Sequence, residues 1–366
     1  MSKLDSISIS GFKSIRQLEQ LQLNNLNVLI GANGAGKSNF VSYFRMLHEL
    51  VEQRLQVWTS KQGGADRVLC LGVKETAQLT TELYFGSNGY RATLEPTVDD
   101  ALTFSNEQLY FDDPYYGVTR PNLGSGHKES NLKGNAHNQE KKVAGYCYRA
   151  IAGWKVFHFH DTSDKAAVKR QGAAHDNEYL RTDASNLAAY LFKLQQHSPN
   201  VYNQIRKTVR LAVPFFDDFV LKPVPLSSGE EQIRLLWKQA DSDYPLWPSQ
   251  LSDGSLRFIC LVTALLEPDA PSTIIIDEPE LGLHPYAITL LGALIRAASR
   301  RMQVIVSTQS VPLLNEFELA DLIIVEREQG ASVFKRLDED QFTNWLEDYS
   351  VGELWQKNLL GGRPSR

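Results

Sequence analysis

The chain has 366 residues, of which 42% are hydrophobic and 22% are charged, with 38 Lys and Arg against 43 Asp and Glu. At about 150 residues per domain, this length predicts roughly two units, each with enough apolar residues for a core. A net charge of -5 excludes a uniformly basic coat for nucleic acid, although a local basic patch is compatible with it.

The cysteines and the N-terminal residues are typical of a protein of the reducing cytoplasm. Cys70, Cys147 and Cys260 stand far apart, so we expect neither a disulfide framework nor a cysteine zinc site. Residues 1–6 lack the order of a secretory signal, and no window approaches about 18 consecutive apolar residues. We therefore expect a soluble cytoplasmic protein without a membrane partner.

The first part of the chain predicts strands around one glycine-rich loop and one helix. Ile7 and Ile9 alternate with serines, which is the period of a half-buried strand. The apolar run 26–30 predicts a buried parallel strand before the loop. One long helix should follow, because apolar residues recur at three- and four-residue steps, namely Phe40, Phe44, Leu47, Val51 and Leu55. Further strands are expected over 79–94.

The middle of the chain is less regular and predicts an inserted α+β subdomain. Residues 112–142 are rich in Gly, Asn, Ser and Lys with two prolines, which predicts a long mobile loop. A strand is expected at 154–160 and a helix at 186–195. We divide the chain into an N-terminal lobe (1–95), an insertion (96–230) and a C-terminal lobe (231–366).

The last third alternates helices with apolar strands. We expect, in order, a helix, a strand, a helix and two strands, at 255–266, 273–277, 285–300, 303–307 and 321–326. This alternation predicts an α/β fold with a mostly parallel, doubly wound sheet.

The strongest motif is the phosphate-binding loop Gly31-Ala-Asn-Gly-Ala-Gly-Lys37-Ser38. Its backbone N–H groups can surround phosphates, Lys37 can neutralise the β and γ oxygens, and the Ser38 hydroxyl can hold Mg²⁺. The candidate nucleotide-binding residues are Asn33, Gly34, Ala35, Gly36, Lys37, Ser38 and Asn39. A chance glycine turn is the alternative, and the position between a strand and a helix argues against it.

A second motif, Thr273-Ile-Ile-Ile-Asp277-Glu278, is an apolar strand that ends in paired carboxylates. Asp277 can reach the magnesium shell, and Glu278 can polarise an attacking water. Two solvated acids are the default interpretation of an isolated Asp-Glu pair. The apolar strand before them and the phosphate loop elsewhere in the chain favour the catalytic interpretation.

A third motif, Leu251-Ser252-Asp253-Gly254-Ser255, precedes an apolar helix. Serine and glycine at a helix N-terminus can bind an anion. The loop at Lys37 already supplies the primary phosphate site. A second phosphate-binding motif therefore suggests that a second molecule takes part. An ordinary N-cap explains the same residues, since Ser and Asp commonly cap helices.

Together with Val306-Ser307-Thr308-Gln309-Ser310, these motifs occur in the order of an ABC-type ATPase head. The chain resembles the RecF/SMC/OLD branch of that superfamily, specifically the stand-alone bacterial AAA-type ATPases, over nearly its whole length. The resemblance implies a P-loop NTPase fold with an antiparallel N-terminal β part. It also implies ATP and Mg²⁺ as cofactors and ATPase activity.

The resemblance further implies a homodimer that sandwiches two ATP molecules. Ser252 and Gly254 would contact the γ-phosphate bound to the other protomer's loop, and Asp253 between them departs from the signature of transporter heads. Gln309 stands where many transporter heads have a switch histidine. The expected catalytic residues are therefore Glu278 and Gln309, and the expected metal ligands are Ser38 and Asp277.

Several assignments stay open at the level of the sequence. Gln62 is a candidate Q-loop glutamine, and a surface turn explains it as well. Arg45 and Arg67 are both candidates for an arginine that acts in trans. Glu280 and His284 lie where the family's D-loop contacts the other protomer, although a helix-entry turn explains them equally well.

Two further features have a functional and a plain interpretation. A metal site is suggested by His158, His160 and Asp161, because alternate strand residues share a face. A metal site normally needs at least three convergent ligands, which favours the plain interpretation. Residues 127–181 contain ten Lys/Arg against six Asp/Glu. This patch could follow a phosphate backbone or be an ordinary solvated face.

The leading hypothesis is an ATP-driven switch in which ATP closes a dimer and hydrolysis through Glu278 opens it. The resemblance implies a role in DNA repair, chromosome maintenance or phage defence, beside a nuclease or toxin subunit encoded nearby, with DNA as a further candidate partner. No domain resembles the Toprim nuclease of OLD proteins, so we expect a separate effector. The alternatives are a transporter subunit, disfavoured by the 213 residues between Ser38 and Ser252, and a low-turnover ATP-binding scaffold.

Overall fold

The computed structural model describes residues 3–138, 142–159, 161–163 and 165–362. Up to residue 138 the elements are β1 (Ser6–Phe12), β2 (Ile15–Gln22), β3 (Leu26–Ile30), α1 (Lys37–Val51), α2 (Leu55–Lys61), α3 (Ala65–Val68), β4 (Leu79–Phe85), β5 (Asn88–Pro96), β6 (Leu102–Asp113), β7 (Gly117–Thr119), β8 (Asn122–Gly124) and α4 (Leu132–Asn135).

The next elements are α5 (Lys142–Ala152), β9 (Trp154–Phe157), β10 (Gly172–Ala173), α6 (Leu187–His197), α7 (Pro199–Ala212), β11 (Phe216–Val220), β12 (Val224–Pro225), β13 (Glu231–Ile233) and β14 (Leu236–Gln239). The last are α8 (Asp253–Leu265), β15 (Thr273–Asp277), α9 (Pro285–Ser299), β16 (Gln303–Thr308), α10 (Val311–Leu314), β17 (Leu322–Glu328), β18 (Ala331–Arg336), α11 (Thr343–Leu346) and α12 (Val351–Gln356).

A six-stranded sheet in the order β18-β17-β3-β16-β15-β9 forms the centre of the fold. All neighbouring pairs are parallel except β17 and β18, which form an antiparallel hairpin at one edge. Every residue of β3 and β16 is buried, as expected for parallel strands that are covered on both faces. The predicted α/β fold with a mostly parallel sheet is therefore confirmed.

Successive residues of the central strands face two different cores. In β15, Ile274 and Ile276 pack in the core that contains the apolar faces of α6, α7, α8 and α9. Ile275 lies in the other core, with α1, α5 and the antiparallel strands. Because side chains alternate along a strand, the continuous apolar run 274–276 stabilises both layers at once.

The second large sheet is antiparallel and has the order β2-β1-β4-β5-β6-β7, with β8 also paired to β6. Ile7 and Ile9 of β1 are buried, as the alternation with serines predicted. The sheet places Phe12 against Tyr43 of α1, with ring centres 5.2 Å apart. This packing fixes α1 between the two sheets.

The helix after the loop is shorter than the apolar pattern predicted. Helix α1 ends at Val51, and Gln53 has a left-handed backbone with φ 59°, which an α-helix does not accommodate. Leu55, expected on the same helix, begins α2 instead. Leu55 is nevertheless buried in the same core, so the prediction was wrong about the helix and right about the burial.

The stretch 112–142, predicted to be a long mobile loop, contains regular secondary structure where the chain is described. Within its described residues, 112–138 and 142, the chain forms β7, β8 and α4, and begins α5. A fully buried carboxylate, Glu107 of β6, holds this segment in place. It accepts hydrogen bonds from the Tyr90 hydroxyl at 2.6 Å and the Asn131 N–H at 2.9 Å, and it contacts His127 Nε2 at 2.9 Å.

The predicted insertion contributes strands to both large sheets. Strand β6 lies beyond residue 95 yet pairs with β5 along its length, and β9 pairs with β15 in the central sheet. Two smaller sheets, β10-β13-β12 and β11-β14, complete the middle region. The division of the chain into domains at residues 95 and 230 stays a proposal. In the part of the chain described here, no helix is long and apolar enough to cross a membrane.

The Glu107 cluster yields a prediction about stability. Glu107→Ala leaves the buried Tyr90 hydroxyl and Asn131 N–H without their acceptor, at about 1–3 kcal/mol for each group. We expect the midpoint of thermal unfolding, followed by circular dichroism, to fall by several degrees. The control, Glu95→Ala, changes an exposed residue of β5 and should leave the midpoint within about one degree. Equal shifts in the two variants would contradict the structural role of Glu107.

Candidate functional site

The carboxyl ends of three parallel strands bring the sequence motifs together. Thr308 of β16 pairs with Ile30 of β3, and Ser307 pairs with Asp277 of β15. The loop that follows Ile30, the carboxylates that end β15 and the residue after Thr308 therefore lie side by side at one edge of the sheet. Ligands of open α/β sheets bind at this edge.

The loop of residues 31–36 depends on glycine for its shape. Gly34 and Gly36 have left-handed backbones, with φ 78° and 118°, which side chains other than glycine rarely adopt. A Cβ on Gly31 would collide with the backbone carbonyl of Val325, and one on Gly36 would collide with the Ser332 hydroxyl. The loop therefore has no room for larger residues at these positions.

Lys37 is buried and folds back over the loop. Its ammonium donates to the carbonyl oxygens of Gly31 at 2.7 Å and Ala32 at 3.2 Å. Burial lowers the pKa of Lys37, while the carboxylates of Glu278 and Asp277 oppose that shift. The structure thus places a cation between the loop and the paired acids, where it can contact both a phosphate and the carboxylate edge.

The two residues after Lys37 differ in their surroundings. Ser38 is exposed at the first turn of α1, with its hydroxyl available to a ligand. Asn39 donates from its side-chain amide to the Ser14 hydroxyl at 2.7 Å. Asn39 therefore connects α1 to the turn between β1 and β2.

Gln309 joins the loop to the acidic pair. Its side-chain amide donates to Asn33 Oδ1 at 2.6 Å and to Glu278 Oε1 at 2.8 Å. Glu278 has a left-handed backbone with φ 43°, a strained conformation that costs about 1–3 kcal/mol and is concentrated at functional sites. Asp277 accepts a short hydrogen bond from the Ser307 hydroxyl. The predicted catalytic residues Glu278 and Gln309 are thus in direct contact.

Of the two D-loop candidates, Glu280 is the one that forms hydrogen bonds with other residues of the site. It accepts hydrogen bonds from the Thr308 hydroxyl at 2.6 Å and from the Gln309 N–H at 3.3 Å. Burial raises the pKa of Glu280, and its second oxygen is buried without a partner among the described residues. His284 is exposed and caps α9, where its Nδ1 accepts from the Tyr286 N–H at 3.3 Å.

The third motif forms the exposed N-terminus of α8. The Ser252 hydroxyl caps the helix by accepting from the Ser255 N–H at 3.1 Å. Asp253 pairs with Lys169 at 3.6 Å, and Gly254 packs directly against the carbonyl of Gly282. No hydrogen bond or ion pair within the described ranges joins residues 252–254 to the loop at Lys37.

Two residues of the site were missed by the sequence reasoning. The Ser332 hydroxyl, on β18, donates to the Ala35 carbonyl at 2.6 Å and contacts the Ser14 hydroxyl at 2.7 Å. Arg257 is buried in α8 and donates to the carbonyls of Phe159, at 2.9 Å, and Leu281. A charged residue inside the apolar run of α8 was the available signal for Arg257. Nothing local marks Ser332.

The residues left open by the sequence lie around α1. Gln62 Oε1 accepts from the Lys13 ammonium at 3.1 Å, and Lys13 also donates to Ser42 of α1 at 2.7 Å. Arg67 lines a cavity of about 540 Å³ together with Lys13. Arg45 Nη2 lies 3.0 Å from His158 Nδ1. The catalytic roles considered for these residues remain proposals.

No metal site forms around His158 and Asp161 among the described residues. His160 lies outside the described residues. Across the described ranges, no group of three or more His, Cys, Asp or Glu side chains could hold a metal ion. The three cysteines are buried and unpaired as thiols.

Comparison with known proteins identifies relatives of this arrangement. The family model described as "AAA domain, putative AbiEii toxin, Type IV TA system" matches residues 26–315. The "Old nuclease" of Escherichia phage P2 is 23% identical over 376 residues, which cover 91% of this chain and 61% of that protein. The chain thus spans less than two thirds of this relative's length. A "Putative ABC transporter ATP-binding protein" of Mycoplasma genitalium is 30% identical over 106 residues, 28% of each chain.

The fold is shared with SMC heads of known structure. An Smc head bound to the C-winged helix domain of ScpA has a TM-score of 0.61 at 13% identity, and the match covers 93% of this chain and 99% of that one. An Smc head with an extended coiled coil, bound to the C-terminal domain of ScpA derived from Pyrococcus furiosus, has a TM-score of 0.58 at 13% identity and covers 95% and 99%. The fold is thus that of a P-loop ATPase head.

Ser332 generates a prediction about the phosphate loop. Ser332→Val removes the hydroxyl that donates to the Ala35 carbonyl and places a methyl group against Gly36. Because such overpacking costs about 1–3 kcal/mol, the loop must shift from the shape that surrounds a phosphate. We expect affinity for ATP–Mg²⁺, measured by titration calorimetry, to fall about tenfold or more. Ser332→Ala removes only the hydrogen bonds and should weaken binding less.

The matched control for this experiment is Ser10→Val, an exposed serine of β1. It should bind ATP–Mg²⁺ like the unaltered protein. Unchanged affinity in Ser332→Val would show that β18 does not support the loop.

Proposed function

Since the chain belongs to the family described as "AAA domain, putative AbiEii toxin, Type IV TA system" and is an ATPase of the SMC and OLD type, we propose that it is an ATP-hydrolysing switch. In this proposal, ATP closes a homodimer, hydrolysis reopens it, and the cycle controls a separate nuclease or toxin subunit. The observation that carries the catalytic part is the amide of Gln309, which joins Asn33 of the loop to Glu278.

The residues present fit ATP with Mg²⁺. The Lys37 ammonium is held by two carbonyl oxygens, and phosphate oxygens are stronger acceptors that can replace them. The exposed Ser38 hydroxyl and the Asp277 carboxylate supply the oxygen ligands that Mg²⁺ prefers. When bound, the metal ion would neutralise charge on the phosphates. The loop N–H groups and the N-terminus of α1 would hold the β-phosphate.

The acidic edge provides the groups needed for hydrolysis. Glu278 can accept a hydrogen bond from a water and orient it toward the terminal phosphate, while Gln309 keeps that carboxylate in place by its hydrogen bond. Lys37 stabilises the negative charge that develops on the transferred phosphoryl group. The strained backbone of Glu278 supports this role, because the surrounding contacts hold its carboxylate in one position.

The exposed surface around Ser252 supports the dimer part of the proposal. Ser252 and Asp253 are exposed at the N-terminus of a 13-residue helix, an end that favours anions. Beside it, Leu281 is 50% exposed and Tyr286 is 52% exposed. A second copy would bury these apolar side chains and bring Ser252 to the phosphate held by its partner. The exposed surface around Ser252 and the phosphate loop of the second copy would then form one site.

The effector part of the proposal rests on the relatives. One relative is called a nuclease and the family description mentions a toxin. These names support an effector that cuts nucleic acid or is toxic, which we propose to be a separate subunit, with DNA as a further candidate ligand. The match to a transporter ATP-binding protein covers 28% of the chain, which is too short to favour a transporter subunit.

Loss of the Glu278 carboxylate tests hydrolysis against the scaffold alternative. General-base groups contribute about 10²–10⁴-fold to rates, so Glu278→Gln should lower steady-state phosphate release at least a hundredfold while ATP binding persists. The control Glu75→Gln, at an exposed position, should retain turnover. If the unaltered protein binds ATP without releasing phosphate above background, the scaffold interpretation replaces the switch.

The assembly is tested by the solution mass of the Glu278→Gln protein with and without ATP–Mg²⁺. Blocked hydrolysis should trap the closed state, so we expect light scattering to show a doubled mass only with ATP. Ser252→Arg in the same background should prevent doubling, because the larger side chain fills the contact with the partner's phosphate. Ser87→Arg, at an exposed hairpin turn, should not. A mass that ATP leaves unchanged would contradict the dimer switch.

A further inference from the structure

A cavity of about 570 Å³ lies between α1, α2, β9 and the segment 179–183. Four of its lining side chains are cationic: Arg45, Arg54, Lys155 and Arg181. Cavities of about 300–1,000 Å³ commonly bind small molecules. The loop at Lys37 and the residues Glu278 and Gln309 do not line it. It is therefore a second concave site, distinct from the candidate ATP site.

Two of these cations are neutralised within the protein and two are not. Arg54 pairs with Glu49 at 2.6 Å, and Arg181 pairs with Asp176 at 2.7 Å. Arg45 instead contacts the ring of His158, and the Lys155 ammonium lies 4.1 Å from the centre of the Tyr179 ring. Neither of the last two forms an ion pair with a carboxylate among the described residues.

Arg45 and Lys155 are partly buried. Burial lowers the pKa of both, and the distant carboxylates of Asp277 and Glu267 offset this only in part. A desolvated cation without a close counterion is unfavourable, because it loses hydration without gaining a partner. An anion that enters the cavity would supply the counterion for both side chains.

Trp154 forms a rigid wall of the same cavity. It is 1% exposed, and its ring is held against Phe44, with ring centres 5.0 Å apart. Its indole Nε1–H is buried and has no hydrogen-bond partner in the described part of the chain, so this group does not open into the cavity.

We propose that this cavity binds the 5′-phosphate end of a nucleotide. Arg45 and Lys155 face the phosphate oxygens, and the ring of Trp154 forms a wall of the cavity beside them. Arginine is suited to phosphate because its planar guanidinium can donate two hydrogen bonds in parallel. Tyr179, which is 48% exposed at the cavity, offers an aromatic face on which a base can stack.

The position of this cavity relates it to the ATP site without merging the two. His158 directly follows Phe157, which pairs with Ile276 in the neighbouring strand. His158 therefore lies next to Asp277 at the edge of the sheet, and its contact with Arg45 lies between the two sites. The inference goes beyond the proposed ATPase switch and does not depend on it, because nucleotide binding here is measured without turnover.

Calorimetric titration of the full chain with thymidine 5′-monophosphate tests the proposal. A hydrogen bond to a charged group is worth about 1.5–3 kcal/mol, so Lys155→Ala should weaken binding about tenfold or more. The control Lys207→Ala removes the same charge from an exposed site on α7 and should bind like the unaltered protein.

A second variant separates this cavity from the phosphate loop. If Lys37→Ala abolishes binding of thymidine 5′-monophosphate and Lys155→Ala does not, the ligand occupies the loop and the proposal is overturned. The proposal also fails if no saturable binding is found. Retained binding in Lys37→Ala, with loss in Lys155→Ala, supports it. Because Lys155 is partly exposed, its substitution leaves a folded protein.

Two oligonucleotides distinguish whether the bound 5′-phosphate belongs to a free nucleotide or to the end of a DNA strand. Tetrathymidylate with a 5′-phosphate should bind more tightly than the monophosphate if the source is a strand end. Weaker binding of the oligonucleotide would identify a free mononucleotide, which supports the same phosphate chemistry. Tetrathymidylate with a 5′-hydroxyl should bind at least tenfold more weakly than its phosphorylated form. Equal binding of these two oligonucleotides would overturn the proposal.

Discussion

The register of the parallel strands is the constraint on which the rest of the site depends. Four strands, β3, β16, β15 and β9, end at nearly the same level, because Ile30 pairs with Thr308 and Ser307 with Asp277. A shift by one residue would exchange the two faces of a strand and move its apolar side chains out of their cores. Since Ile274 and Ile276 face one core and Ile275 faces the other, burial on both sides fixes the register. The positions of the loop, Glu278 and Gln309 follow from this packing.

A second set of contacts connects α8, whose exposed N-terminus carries Ser252, to that edge of the central sheet. From α8, Arg257 donates to the carbonyls of Leu281, in the turn after the acidic pair, and of Phe159, just beyond β9. Gly254 packs on Gly282 in the same turn. Movement of the Ser252 surface therefore disturbs the segment that follows Glu278, unless these hydrogen bonds break. Breaking the buried hydrogen bond to Phe159 leaves that carbonyl without this donor, at about 1–3 kcal/mol. In a dimer, this connection would link the contact with the partner to the chemistry.

The sequence predicted those parts of the fold whose signal is local. The strands 26–30 and 273–277 are continuous apolar runs, and their carboxyl ends carry motifs with a known chemistry, so the arrangement of the central sheet and the loop could be expected. Residues 112–142 have the composition of a loop, and the described residues around Asn131 are held by Glu107, a buried carboxylate of β6, rather than by a local pattern. Ser332 approaches the loop only because β18 folds back on β17. Such contacts depend on tertiary structure and leave no local pattern. The roles assigned to Ser252, Asp253 and Gly254 need a second molecule and stay predictions.

Helix α1 places two anion-binding candidates on one rigid element. Lys37 starts the helix and Arg45 follows eight residues later, which is about 12 Å along the axis at 1.5 Å per residue. Phe40 and Phe44 pack against Phe334 and Trp154 of the central sheet. Tyr43 packs against Phe12 of the antiparallel sheet, so the helix is held between the two sheets. A ligand can change a conformational equilibrium only by its difference in affinity for the two states. A phosphate in the cavity would favour the conformational state in which the side chains of Arg45 and Lys155 are close together. Because Arg45 and Lys37 move with the same helix, that preference would extend to the phosphate loop, and occupancy of the cavity would bias the proposed ATP-driven switch.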